Sequence, residues 1–390
     1  MSGKRSVDGG NEKASAKAAR SSGAATFSDA DKTRIVSWFK SQTLSACSPS
    51  ITAERKLLSV SERSSITDVM KLLETHKISA VLVRADEGSQ PRDLDQLETQ
   101  LVVPPETSFL GYVDTLDIMF FLAEQYARNK RQHAHVFVPS ELQQAFASPV
   151  SVIINESERD PFYAVAASTT LERACASLFK FGVHRLPLIV DNVVCGTVSQ
   201  SDVLKFISEH LDELEPLADR SMLDLGLVHS AHEHAHHVSR KSAAGDSEND
   251  TPAHPGVVSV LDNASVIDAL QTMIREQVTG IAITNISGKL VGSFSASDLK
   301  GMTANKLFEL ETKLVDMLEY HSRTRDPVQC TITDKLGTVL RRIVAARVHR
   351  IFVVDHVTQR LTAVLTLTDL IGAIVRVVVD AETDLAAASE

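Results

Sequence analysis

Gly196-Thr-Val-Ser-Gln-Ser-Asp202 and Gly292-Ser-Phe-Ser-Ala-Ser-Asp298 are two spellings of one seven-residue word: Gly, two residues, a hydroxyl, one residue, a hydroxyl, Asp. Ala363-Val-Leu-Thr-Leu-Thr-Asp369 is a third copy that lacks only the Gly, and Gly111-Tyr-Val-Asp-Thr-Leu-Asp117 is a weaker fourth. A repeat of this kind fixes the architecture, because each unit must bury its apolar face against a neighbour. Here the recurring residues are polar. Repeated apolar residues would report only a repeated core. Repeated hydroxyls and carboxylates at the end of a strand point to a repeated ligand site.

The pattern extends outward from each word. Upstream lies an amphipathic helix: Ile66, Val69, Met70 and Leu73; Leu171, Ala174, Cys175 and Leu178; Val266, Ala269, Leu270, Met273 and Ile274; Leu336, Val339, Leu340, Ile343 and Val344. This spacing gives a helix one buried stripe. A short β-rich run comes next (Ala80-Val-Leu-Val, Leu186-Pro-Leu-Ile-Val, Ile281-Ala-Ile-Thr, Ile351-Phe-Val-Val), then turn residues, then a strand leading into the word. Another helix is expected to start at the Asp. A further short strand is expected ahead of each unit, as at Val257-Val-Ser-Val and Val328-Gln-Cys-Thr-Ile. The fold class is therefore α/β, with four repeats in two pairs.

At 390 residues with 43% hydrophobic content the chain can bury a sizeable core and form more than one domain. The boundaries read from composition are a disordered tail at 1–27, an N-terminal helix at 28–47 capped by Ser28, and a first repeat at 48–127 with a solvated insertion at 85–105. A second repeat with a leading helix spans 128–214. A linker at 215–256, His-rich and flexible from 229, separates the pairs. The third repeat and a joining helix over 303–322 occupy 257–322, the fourth repeat 323–380, and a tail 381–390. Trp38 of the N-terminal helix has two readings, core or partner-binding surface.

A net charge of −10 argues against broad nucleic-acid binding, which needs a basic surface. The four cysteines, Cys47, Cys175, Cys195 and Cys330, form no CxxC. Reduced thiols are expected, hence a cytoplasmic or nuclear protein. The opening MSGKRSVDGG has no apolar core for a secretory signal. The longest apolar run, Leu370 to Val379, is too short to span a bilayer and is interrupted by Arg376, so no membrane partner is expected. His229-Ser-Ala-His-Glu-His-Ala-His-His237 is not an HExxH helix and lacks remote ligands, so no metal site is assigned. GxSxG, Walker A and kinase signatures are absent, which favours a regulator over an enzyme.

The chemistry of the word has a plain explanation and a richer one. An Asp at a helix start caps backbone N–H groups. Capping alone does not require two hydroxyls. Read as alternate positions of one strand, both hydroxyls point the same way. With the Asp and the helix N-terminus they suit a ribose diol and a phosphate. Phe181-Gly-Val-His184-Arg185-Leu-Pro-Leu and Ala346-Arg-Val-His349-Arg350-Ile-Phe-Val place His-Arg at the same point of the second and fourth repeats. Arg is suited to phosphate. The first and third repeats carry Ser79-Ala80 and Thr279-Gly280 there.

Unit order, the Gly-x-x-Ser-x-Ser-Asp word and the Val-His-Arg-Leu-Pro run resemble cystathionine-β-synthase (CBS) domains, which pair into Bateman modules. Four repeats with His-Arg in the second and fourth resemble the gamma regulatory subunits of AMP-activated protein kinase and their plant and fungal relatives. The resemblance implies adenine-nucleotide ligands (AMP, ADP or ATP) in the inter-repeat clefts and no further cofactor. It implies ribose on Asp202, Asp298 and Asp369, and phosphate on His184, Arg185, His349, Arg350, Ser199, Ser201, Ser295, Ser297, Thr366 and Thr368. In the first repeat Asp114 and Leu116 replace the hydroxyls, so the site at Asp117 is expected to be weak or empty. Protein kinase catalytic and scaffold subunits are the implied partners. Two other readings stay open: a stand-alone adenosyl-ligand-binding protein that regulates another enzyme, and a structural homodimer with vestigial sites.

Overall fold

The computed structural model describes residues 27–47, 57–86, 109–133, 138–157, 161–191, 193–227, 257–299, 309–322 and 326–388. The tail before Phe27, most of the insertion in the first repeat and the His-rich run lie outside them.

Helix α1 (Asp29–Ser41) precedes the repeats. Repeat 1 comprises β1 (Ser59–Ser61), α2 (Ile66–Thr75), β2 (Ala80–Arg84), β3 (Phe109–Asp114) and α3 (Thr115–Gln132). Repeat 2 comprises β4 (Val165–Ala166), α4 (Leu171–Lys180), β5 (Arg185–Val190), β6 (Val193–Ser199) and α5 (Gln200–Glu209). Repeat 3 comprises β7 (Ser259–Leu261), α6 (Val266–Arg275), β8 (Gly280–Thr284), β9 (Leu290–Ser295), a 3₁₀ turn (Ala296–Leu299) and α7 (Leu314–Tyr320). Repeat 4 comprises β10 (Gln329–Cys330), α8 (Leu336–Ala346), β11 (Arg350–Val354), β12 (Leu361–Thr366) and α9 (Leu367–Ala388).

Each repeat folds into a three-stranded sheet in chain order, the first pair parallel and the second antiparallel. The parallel pair needs a crossover, and the amphipathic helix supplies it. The antiparallel pairs share one register. The residue that opens the middle strand faces the residue that ends the third: Ala80 with Asp114, Arg185 with Ser199, Gly280 with Ser295, and Arg350 with Thr366. The hairpin turns use the residues expected of them. Asp191, Gly288 and Gln359 take left-handed backbone, and Asn285 Oδ1 accepts from the amides of Ser287 and Lys289.

Four apolar clusters close the repeats into a ring. The sheets of repeats 1 and 2 meet through Leu82, Tyr112, Phe162, Ala164 and Val194. Those of repeats 3 and 4 meet through Val257, Ala282, Phe352 and Leu361. Two larger clusters run the other way. One joins helices of repeats 2 and 4, including Leu178, Ile207, Leu340 and Ile374. The other joins repeats 1 and 3, including Val69, Leu122, Leu270 and Met317. The order round the ring is 1-2-4-3.

Two boundaries read from composition differ in the structure. Residues 215–227, read as the start of a linker, fold onto repeat 4: Leu217, Met222 and Leu227 are buried, and Ser221 bridges Lys335. The joining helix read over 303–322 is α-helical in its described part only from Leu314. Thr312 and Lys313 break it because Lys313 bridges Ser265. Both exceptions obey one rule. Every crossover helix has a segment that precedes or follows its own three strands bridged to the residue before it: Pro149 to Ser65, Thr43 to Thr170, Lys313 to Ser265 and Ser221 to Lys335.

Thr43 continues from α1, so the N-terminal helix is the bracing segment of repeat 2. Ser28 and Asp31 form its capping box, and Phe39 is fully buried. Trp38 is 6% exposed and lies 5.9 Å, ring to ring, from Phe206, so it belongs to the core. Lys32 pairs with Asp384 at 3.1 Å and Lys40 with Glu382, tying α1 to α9. Phe39→Ala is expected to cost about 3–5 kcal/mol, as for large buried aromatics, read as a lower urea midpoint of the whole chain. An unchanged midpoint would show that α1 is not part of the cooperative unit.

Candidate functional site

Each word begins as strand and ends as helix. In repeat 2, β6 ends at Ser199, whose Oγ accepts from the amide of Asp202. Asp202 Oδ2 in return accepts from the amide of Ser199 at 2.9 Å and its hydroxyl at 2.7 Å. Thr366 and Asp369 make the same box, and in repeat 3 Asp298 Oδ2 likewise accepts from the amide and hydroxyl of Ser295. The expectation that both hydroxyls sit on one strand is therefore corrected. Ser199, Ser295 and Thr366 end strands. Ser201 and Thr368 lie in the first turn of the succeeding α-helix, and Ser297 lies in the 3₁₀ turn. All six are half-buried. Oδ1 of Asp202 and of Asp369 has no hydrogen-bond partner among the described residues.

Thr368 is committed elsewhere. Its hydroxyl meets Gln200 across the junction of repeats 2 and 4, with Gln200 Nε2 donating to Thr368 Oγ1 at 3.0 Å and to the carbonyl of Val183 at 3.1 Å. Gln200 is not legible from sequence as a site residue, since no other copy of the word has a comparable amide there.

The strand register brings His-Arg to the word. The carbonyl of His184 accepts from the amide of Gln200 and that of His349 from the amide of Leu367; Ser79 and Thr279 do the same for Thr115 and Ala296. His184 is half-buried and His349 exposed. The arginines reach across the module. Arg350 Nη2 donates to Thr279 Oγ1 of repeat 3 at 2.7 Å. Gly280 makes room, since a Cβ there would lie 2.2 Å from Arg350 Nη1. Arg185 Nη2 donates to Ser79 Oγ of repeat 1 at 3.0 Å. The uncharged Ser79 and Thr279 are thus part of each cleft, as partners of the arginines.

The first cleft differs from the second. Arg185 Nη1 lies 3.7 Å from Asp114 Oδ2, and its guanidinium is 6.0 Å from the centre of the Tyr112 ring. Tyr112 Oη bonds Thr197 Oγ1 across the repeats at 2.9 Å. Asp114 Oδ1 caps α3 through the amides of Leu116 and Asp117. Both oxygens of Asp117 are taken by main chain, Oδ2 by the amide of Asp114 and Oδ1 by that of Ser157, each at 2.8 Å. Asp117 is 2% exposed. Burial, then the neighbouring Asp114 carboxylate, push its pKa up to about 8. No metal-binding cluster of His, Cys, Asp or Glu occurs among the described residues. Burial raises the Cys47 and Cys330 thiols to about 12, and that of Cys175 upward as well, leaving them poor nucleophiles. No helix among the described residues is long and apolar enough to cross a membrane.

Residues 157–209, 253–302 and 319–376 match the family described as CBS domain. These segments are CBS domains. Repeat 1 lies outside the three matches, yet its sheet has the same strand order and register as the CBS repeats. Over 350 residues the chain is 25% identical to the SNF1-related protein kinase regulatory subunit gamma-like PV42a of Arabidopsis thaliana, covering 82% of this chain and 92% of that one. It is 27% identical to the 5'-AMP-activated protein kinase subunit gamma of Saccharomyces cerevisiae, over 52% of this chain and 58% of that one. Its fold matches a solved Methanocaldococcus jannaschii protein, a proposed archaeal homologue of the AMPK gamma subunit, with a TM-score of 0.57 at 15% identity. That match covers 82% of this chain and 96% of the other.

A carboxyl whose pKa is raised on folding favours the folded state below the unfolded carboxylate range, near pH 4, and loses that contribution as pH rises toward the folded value. Unfolding free energy should therefore fall between pH 5 and pH 8. In Asp114→Ser, which keeps a capping hydroxyl and removes the like charge, the fall should be smaller by roughly 1 kcal/mol, since one pKa unit is worth about 1.4. Denaturant titrations at the two pH values measure it, and identical slopes in both proteins would contradict the coupling.

Proposed function

We propose that the chain is a non-catalytic, adenine-nucleotide-sensing regulatory subunit, of the gamma type, for an energy-sensing Ser/Thr protein kinase. The observation that carries this reading is the reach of Arg350 from repeat 4 to Thr279 of repeat 3, beside a helix whose capping carboxylate, Asp369, presents a second oxygen. A planar cation, two hydroxyls, a helix N-terminus and a carboxylate converge where two repeats meet. That set suits a phosphorylated ribose: the diol on Asp369 or Asp298, the phosphate on Arg350 and His349, with Thr366, Ser295 and Ser297 nearby. Asp202, Ser199, Ser201, His184 and Arg185 hold the corresponding places in the other module. The near-full-length likeness to a gamma-like plant subunit supports the kinase assignment. It makes catalytic and scaffold subunits the expected partners, in the cytoplasm.

Mechanistically, a phosphate takes the place of the Thr279 hydroxyl on Arg350 and ties repeat 3 to repeat 4. The effect reaches a partner only insofar as that partner distinguishes the tied from the untied ring. Isothermal calorimetry with AMP, ADP and ATP tests the site. Arg350→Ala is expected to weaken binding by about 1–3 kcal/mol, the worth of a charged hydrogen bond, or roughly 5- to 150-fold. Unchanged affinity would remove Arg350 from the phosphate site. Co-purification of a kinase catalytic subunit tests the partner; recovery without any kinase favours a stand-alone CBS regulator, to which the ion-paired cleft of the first module is better suited.

A further inference from the structure

We propose that Asp114 is a built-in anion that holds Arg185, so that phosphate-bearing ligands are confined to the module of repeats 3 and 4. The inference rests on the nucleotide reading above and adds to it which cleft takes a phosphate and which residue decides.

The two modules are built on the same register, so their clefts can be compared position by position. Arg185 and Arg350 open β5 and β11 and reach the hydroxyls of Ser79 and Thr279. The residue paired with the start of the facing middle strand is Asp114 in one module and Ser295 in the other. One cleft therefore brings a carboxylate to its arginine where the other has an uncharged hydroxyl.

Asp114 is not free to swing away. Its Oδ1 is fixed by two amides of the first turn of α3, at 2.7 and 3.0 Å, which leaves Oδ2 facing Arg185. Both side chains are largely withdrawn from water, at 13% and 12% exposure, so solvent screens the pair weakly. Asp117, buried three residues on, has both oxygens turned to main-chain amides and adds nothing to hold Arg185. The Tyr112 ring lies alongside the guanidinium and is tied to Thr197 of repeat 2, where repeat 3 has the small Ser293 at the matching register. A phosphate entering this cleft would have to displace Asp114 from Arg185 and sit against the Asp114 carboxylate. In the other module it would exchange one hydroxyl, Thr279, for itself. Asp114 is in this sense the specificity-determining residue of the first module.

The test uses the full chain in an Arg350→Ala background, which removes the second module's arginine, with AMP as the probe. Adding Asp114→Ser restores the residue type of the other copies and keeps a helix cap; Asp114→Asn keeps the shape and is the second variant should the first fail to fold. Either is expected to raise AMP affinity at least tenfold, and adding Arg185→Ala should abolish the gain. A folded double variant with no gain, or a gain that survives Arg185→Ala, overturns the inference and leaves the second-module reading standing. So does AMP binding in Arg350→Ala alone that is lost with Arg185→Ala, because Arg185 would then serve a phosphate with Asp114 in place. Failure of the wild-type chain to bind AMP would count against the nucleotide reading. A gain on Asp114 substitution that depends on Arg185 would support the role of Asp114 even then.

Discussion

A hydrogen-bonded cap at the end of each hairpin, two-sided in repeats 1, 2 and 4, determines where the polar residues of the word sit. In those three the hydroxyl or carboxylate that closes the third strand accepts from an amide three residues on, and in all four the Asp there accepts from the amide of the strand's last residue. The box fixes the angle at which the helix leaves the sheet. Removing one such cap costs about 1 kcal/mol. Its larger effect is positional. Strand pairing sets the last residue of the third strand opposite the first residue of the middle strand. The cap therefore also aligns the helix N-terminus with whatever side chain opens that middle strand. Where that residue is Arg185 or Arg350, a cation is delivered to a cluster of amides and hydroxyls.

The ring distributes its packing unevenly. The helical clusters that join repeats 2 and 4, and 1 and 3, are extensive and contain most of the fully buried side chains. The sheet-to-sheet contacts within each module rest on a handful of residues. Local opening is cheapest where few apolar contacts must be given up. The clefts lie on those thin seams, and the polar links across them (Arg185 to Ser79, Arg350 to Thr279, Tyr112 to Thr197) replace apolar contact with directional bonds that can be exchanged.

The repeat, the crossover helices and the strands are legible in the sequence because each obeys a period: 3.6 along Leu336, Val339, Leu340 and Ile343, and two along the strands. The polar word is legible because it recurs. Segments without a period are harder to read. Residues 215–227 carry turn formers and charges and look like linker, but Leu217, Met222 and Leu227 fill a groove on repeat 4, which no local pattern announces. The second hydroxyl of the word is misplaced by a strand reading because the strand-to-helix change between Ser199 and Ser201 alters the direction of alternate residues. Ser79 and Thr279 stand at the right register but lack the charge that marks a phosphate ligand. Their role comes from an arginine in another repeat, and that reach is a tertiary fact. The hostility of Asp114 to phosphate is plain from its charge; its hold on Arg185 cannot be read from a chain in which the two lie far apart.

The pairing of α1 with α9 has a geometric consequence. Lys32, in the first turn of the first described helix, meets Asp384, near the close of the last. The outermost helices of a four-unit ring thus share one edge, and the circuit of the backbone is nearly closed in space. A short tether between the outer ends of these two helices should therefore be tolerated. Fluorophores placed on the two outermost helices would sit side by side and report on that edge without crossing either cleft.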